Sequence, residues 1–177
     1  MANRFIPLTV IVKTVGLHIM KIRFIKTKGE PTMALIETSI QINASPEKIF
    51  SYVSSLDSLK NEYVAGVEAD GPIKLGAKIK TRVKSALGAM TEIVSEVVAY
   101  EQNKKFGTKT FAAPPASDVT STYILEAEGG GTKVTLQTEA VLTPPGMPSM
   151  PGMEDMMKKQ MLAGYDAALA ALKKKLE

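Results

Sequence analysis

From Ile36 onward the chain alternates apolar and polar positions in short runs divided by turn signals. In residues 36–44, Ile36, Ile40 and Ile42 share one face, and Glu37, Ser39, Gln41 and Asn43 share the other. That alternation predicts a half-buried strand. Ser45-Pro46-Glu47 then offers an N-cap, a proline at the first helical position and an acid in the first turn. A helix to about Ser54 follows, burying Ile49, Phe50 and Val53, with a second short helix over Leu56–Glu62. A strand over Val64–Ala69 ends at the turn signal Asp70-Gly71-Pro72.

The next hairpin is set by charge. In residues 77–84 basic side chains hold the even positions and small or apolar ones the odd positions, and a strand over Met90–Tyr100 returns after Gly88. A left-handed glycine in the connection predicts Arg82 opposite Glu92 and Lys78 opposite Glu96. The same register puts Ile79, Thr81 and Val83 beside Ser95, Ile93 and Thr91 on the inner face. The Lys/Arg row then reads as a solvated outer face, not a phosphate site. A further strand is predicted over Lys105–Ala112. In the last hairpin Tyr123, Leu125 and Ala127 alternate with Ile124, Glu126 and Glu128, and Val134, Leu136, Thr138, Ala140 and Leu142 return on the inner face. A four-residue loop Gly129–Thr132 predicts Glu128 opposite Lys133 and Leu125 opposite Leu136. No Gly-Lys-Ser/Thr accompanies the triple glycine, so it is a turn and not a phosphate cradle.

Residues 143–152 are too rich in proline and glycine for regular structure. From Met153 a long helix is predicted, with Glu154 and Asp155 in its first turn and Lys173–Lys175 in its last, as the helix dipole favours. Met157, Met161, Gly164, Tyr165, Ala168, Leu172 and Leu176 fall on one stripe that needs a partner surface.

Ahead of this pattern, residues 5–12 are apolar but too short to span a bilayer, which takes ~20 residues. Lys21–Lys26 alternates like an edge strand or a basic surface segment. Met33 precedes the first clear strand, so residues 1–32 are expected to be a poorly ordered or non-physiological extension, with a basic membrane-surface segment as the alternative. Residues 33–177 form the expected domain.

Composition narrows the chemistry. There is no cysteine, and the single histidine, His18, lies in the extension, so thiolate chemistry is excluded and the commonest neutral-pH base and nitrogen ligand are missing from the domain. The net charge is +4, but residues 1–32 alone carry +5, so the domain comes to −1 and has no nucleic-acid footprint. Met147, Met150, Met153 and Met156 recur every third residue, followed by Met157 and Met161. A soft, adaptable lid or core filler is favoured over plain packing, and both over a Cu(I) site, since no Cys or His accompanies the run.

Taken in order, Ala44-Ser45-Pro46-Glu47-Lys48-Ile49-Phe50, Gly71-Pro72-Ile73-Lys74-Leu75-Gly76, Tyr100-Glu101 and the hairpin Glu128–Thr135 resemble the START-like (SRPBCC) superfamily. The branch is similar to the polyketide cyclase/dehydrase and lipid-transport family. The resemblance implies an α+β helix-grip fold, a curved antiparallel sheet wrapped around a long C-terminal helix, with a cavity for lipids, quinones, polyketides or other apolar molecules. It does not imply an enzyme. The expected function is binding or carrying an apolar small molecule, in the cytoplasm, without cofactor or metal. The expected lining is Ile79, Thr81, Val83, Ile93, Phe111, Tyr123, Leu125, Leu136, Met157, Met161 and Tyr165, with Tyr123 or Tyr165 orienting one polar group. Two alternatives stand beside it. A register slipped by one would turn Glu92 and Glu96 inward and give a carboxylate-based cyclase or dehydrase. A chaperone-cofactor-like protein would instead meet a protein partner through the outer basic face.

Overall fold

The computed structural model of the chain describes residues 6–9, 13–15, 18–26, 33–84, 88–112, 117–141 and 152–177. The strands are β1 (Ile6–Thr9), β2 (Lys13–Val15), β3 (His18–Lys26), β4 (Met33–Ile42), β5 (Val64–Ala69), β6 (Lys78–Lys84), β7 (Met90–Glu101), β8 (Lys105–Phe111), β9 (Val119–Glu128) and β10 (Gly131–Val141). Helix α1 (Pro46–Val53) and a 3-10 turn (Leu56–Leu59) follow β4, and helix α2 (Met153–Leu176) closes the chain. The sheet is antiparallel in the order β1-β3-β4-β10-β9-β8-β7-β6-β5, with β2 paired to β3. The seven strands from β4 to β10, with α1 and α2, make the expected helix-grip fold.

Local chemistry accounts for each boundary. Ser45 caps α1 by accepting from the Lys48 amide, and Pro46 opens the helix. The β6–β7 register is the one charge predicts: Lys78 faces Glu96, Thr81 faces Ile93 and Arg82 faces Glu92. In the last hairpin the expected register is corrected by two residues. Gly129 and Gly130 both hold positive φ (59° and 82°), so the turn has two residues instead of four. Such turns match the twist of the strands they join. Leu125 therefore faces Val134, Tyr123 faces Leu136, and Lys133 pairs with Glu126 at 2.9 Å instead of with Glu128. A slip of two leaves every side chain on its expected face.

Residues 1–32, expected as a poorly ordered or non-physiological extension, hold the first three strands. β3 runs antiparallel along β4, with Ile19 opposite Ser39, Ile22 opposite Ile36 and Ile25 opposite Met33. It covers an edge of β4 that would otherwise present unpaired backbone groups.

Helix α2 lies against β4 and β10. Its buried stripe is Leu169, Leu172 and Leu176, which share a core with Ile40, Ile42, Ile49, Phe50, Val134 and Leu136. Met161, Leu162 and Tyr165 pack on Ala34 and Ile36. The expected stripe is thus corrected: Gly164 and Ala168 are exposed, and Leu162 and Leu169 take their places. Four bonds clamp the C-terminal end. Lys48 Nζ donates to the Leu176 carbonyl at 2.7 Å, the Asn43 amide to Glu177 Oε1 at 2.7 Å, Lys173 Nζ to the Gln41 carbonyl at 2.8 Å, and Lys173 sits 3.4 Å from Glu177. They partner a carbonyl and a carboxylate where a helix end leaves acceptors orphaned.

Candidate functional site

The strands present two unlike faces. On β4 and β10 the helix-facing positions, among them Ile36, Thr38, Ile40, Val134, Leu136 and Thr138, are all buried, because α2 lies over them. Farther along the sheet the same face changes character. Thr81, Val83, Ile93, Ser95, Thr108, Thr110, Ser121 and Tyr123 share this face along β6 to β9, and all stay half-buried. α1 crosses one end of this stretch and closes it with aromatic rings. Phe50 meets Tyr100 at 5.2 Å and Phe106 at 6.5 Å, edge to face.

The polar groups on this face form two clusters. Ser95 and Thr110 share a hydrogen bond of 2.9 Å across β7 and β8. Nearer the helix, Ser121 and Thr138 lie 3.2 Å apart, and Thr138 bonds the Tyr165 hydroxyl. Burial pushes the Tyr165 hydroxyl above its ordinary pKa of 10, against the opposing effect of the Thr138 bond. Tyr123 is pushed up as well, chiefly by burial, with Tyr52 nearby. Among the described residues no hydrogen bond reaches the Tyr123 hydroxyl. A desolvated hydroxyl without a partner is costly to a folded protein.

Of the predicted lining residues, Ile79, Leu125 and Leu136 are buried in the main core, with Tyr123 and Tyr165 packed against it. Thr81, Val83 and Ile93 stand together on the half-buried part of the face. Met157 and Met161 lie half-buried on α2, and Met161 packs on Ala34 and Ile36. Phe111 does not join them. The Ser95–Thr110 bond fixes Thr110 inward, so Phe111 points out, 40% exposed, with Lys109 Nζ 5.4 Å from its ring centroid. Of the Met-rich stretch 147–161 expected as a lid or core filler, residues 147–151 lie outside the described residues, and Met156 is exposed.

Glu92 and Glu96 fall on the outer face, opposite Arg82 and Lys78, so the slipped register does not occur. A different carboxylate reaches the helix-facing side. Asp166 on α2 accepts a 2.7 Å bond from the hydroxyl of Thr38, which is fully buried. The sequence holds the signal for it: Leu162, Tyr165, Leu169, Leu172 and Leu176 are spaced three, four, three and four, and Asp166 flanks that seam. Among the described residues no group of three or more His, Cys, Asp or Glu is placed to hold a metal, and no helix is long and apolar enough to cross a membrane.

The family model described as polyketide cyclase/dehydrase and lipid transport matches residues 33–177. The chain belongs to that family. No curated protein has a matching sequence. Among solved structures, Ara h 8.0201 is similar at TM-score 0.62 and 16% identity, over 81% of this chain and 97% of that one. SA2116 from Staphylococcus aureus, a protein of unknown function, is similar at TM-score 0.65 and 14% identity, over 83% and 93%. The di-domain ARO/CYC protein BexL of the BE-7585A biosynthetic pathway is similar at TM-score 0.62 and 16% identity, over 81% of this chain and 50% of BexL. At these identities the likeness concerns the fold, and within the family it is the site that decides the chemistry.

Proposed function

We propose that the protein binds an apolar small molecule of lipid, quinone or polyketide type between α2 and the inner face of β6–β9. The observation that carries this reading is the contrast along one sheet face. Where α2 lies over it the face is packed shut; on β6–β9 Ile79, Val97, Phe106 and Leu125 are buried too, while Thr81, Val83, Ile93, Ser95, Thr108, Thr110, Ser121 and Tyr123 stay half-buried. Thr81, Val83, Ile93, Tyr123, Met157 and Tyr165 would line the space, with Ile79, Leu125, Leu136 and Met161 as its packed walls. Phe111 is left out.

Mostly apolar walls with a few fixed polar groups suit a small-molecule pocket. Burial of the ligand's apolar surface would supply most of the affinity, at about 25 cal/mol per Å². The partnerless Tyr123 hydroxyl is the group best placed to orient it. Membership of a family that includes lipid transport supports the same reading.

Native mass spectrometry of the freshly purified full chain, followed by extraction of bound small molecules, tests it. The expected result is a retained apolar adduct that Ile93→Trp, which fills the space, excludes without loss of the fold. A chain that purifies empty and binds no fluorescent lipid or quinone analogue overturns the proposal.

A further inference from the structure

Resting on that binding function, we infer that the ligand carries an acidic head group and that Lys158 of α2 holds it at the entrance to the site. Lys158 belongs to the face of α2 that meets the sheet. Residues 157–158, 161–162, 165–166, 169, 172–173 and 176 are buried or half-buried, and the positions between them are exposed. Only 15% of the Lys158 side chain is exposed. Its ammonium is held by Asp155 at 3.2 Å, and the side chain of that residue is 76% exposed. An ammonium withdrawn from water is costly to keep unless acceptors surround it, and a carboxylate that faces water attracts it weakly. An incoming acid can therefore take the place of Asp155, whose carboxylate water then solvates.

Strand register puts this lysine at the open end of the site. One inward row crosses the sheet as Ile36, Thr138, Ser121, Thr108 and Val97. To one side of that row the rings of Phe50, Tyr100 and Phe106 close the face. To the other side lie Ala34 with Ala140 and Ser95 with Thr110, and beyond them Thr81 with Ile93. α2 advances in that second direction as it is followed from its C-terminus. Glu177 is bonded at Asn43, Asp166 at Thr38, and Met161 packs on Ala34 and Ile36. Lys158, three residues ahead of Met161, thus stands at the end of the sheet where Thr81, Ile93, Ser95 and Thr110 stay half-buried. The β6 cations alternate with Ile79, Thr81 and Val83 and take the outer face. A head group at Lys158 leaves the apolar body to run inward past Met161, with about 10 Å of helix between Lys158 and Tyr165. A neutral body in the same place would desolvate the ammonium further and return no charge.

The test titrates the full chain with 11-(dansylamino)undecanoic acid and with its methyl ester, which share a chromophore and a chain and differ by one negative charge. The expected result is tighter binding of the acid by roughly tenfold, since a hydrogen bond between charged groups contributes more than a neutral one. Lys158→Met, which keeps the length and helix propensity of the side chain, should bring the two affinities together, and Lys158→Arg should keep them apart. Equal affinities in the parent, a tighter ester, or a preference for the acid that survives Lys158→Met would overturn the head-group assignment and leave the binding function standing. Should thermal melting show that Lys158→Met does not fold, Asp155→Asn decides: the acid, and not the ester, tightens several-fold, or the assignment falls. If neither probe binds and no adduct is retained on purification, the binding function falls with it.

Discussion

One methyl group, added at three glycines of this chain, should give three different results. At Gly131 a Cβ would run into the backbone carbonyl oxygen of Ile42 and stand 3.2 Å from the Cα of Asn43. Neither is the tip of a flexible side chain. The two segments are also tied by Thr132 Oγ1 to the Ala44 carbonyl at 2.7 Å and by Gln41 Nε2 to the Glu128 carbonyl at 2.8 Å. Making room means parting β10 from β4 and giving up two or three such bonds at ~1 kcal/mol each, so Gly131→Ala should cost about 2–3 kcal/mol. At Gly130 the space is open but φ is 82°, so Gly130→Ala should cost about 1 kcal/mol from backbone strain alone. Gly164 lies inside α2 with nothing near its would-be Cβ, and Gly164→Ala should gain about 0.5–1 kcal/mol. Urea unfolding reads all three as midpoint shifts at constant slope. In thermal unfolding Gly131→Ala should fall by about 4–12 °C for a chain of this size. A Gly131→Ala protein within about 0.5 kcal/mol of the parent, or a destabilised Gly164→Ala, would refute the packing argument.

Tyr123→Phe should leave the empty protein as stable as before or slightly more so, because the hydroxyl it removes has no partner among the described residues, while ligand affinity falls several-fold; calorimetric melting and dye titration on the same samples separate the two. Glu177 should matter to acid stability. The Asn43 amide holds its carboxyl below the ordinary 4.5, so its contribution is present above that value and is lost as pH falls through the lowered native pKa. The stability gap between parent and Glu177→Gln should therefore close below pH 4.5, and a gap that persists unchanged in acid contradicts this. Ile22→Pro should undo the pairing of β3 with β4, and hydrogen exchange should then quicken at those β4 amides between Leu35 and Ser39 that face β3, with the β10-facing ones unaffected. Full exposure of those amides in the parent chain would show instead that β3 does not hold the edge.

The sequence revealed most where both faces of a strand were constrained. Lys78, Lys80, Arg82 and Lys84 demand water and Glu92 and Glu96 demand them as neighbours, so only one β6–β7 register satisfies both. The β9–β10 hairpin is different, because Leu125 packs as well beside Leu136 as beside Val134, and alternation is blind to a slip of two. There the backbone angles of Gly129 and Gly130 decide. Phe106 and Phe111 are five residues apart on one strand and cannot both face inward; the aromatic cluster with Phe50 and Tyr100 takes Phe106. The stripe of α2 was misjudged because Gly164 and Ala168, although compatible with burial, have too little side chain to need it. Asp166 was missed since a helix carboxylate is ordinarily assigned to solvent, and only the buried Thr38 hydroxyl reveals its orientation. The half-buried stretch of inner face lay beyond the reach of periodicity, since it depends on where α2 stops covering the sheet.

The clamp at the end of α2 has a mechanical consequence. A helix of 24 residues is about 36 Å long, and this one is fastened by Lys48, Lys173 and Glu177 at its C-terminal end and by the Thr38–Asp166 and Thr138–Tyr165 bonds near its middle. Its free arm is the N-terminal half, about 18 Å from Tyr165 to Met153. A bend of about 10° at Tyr165 moves the Met153 end by roughly 3 Å, about the width of a methylene chain. Guests of different girth would thus be accommodated at the methionine end of the helix, where soft, unbranched side chains make such displacement cheap.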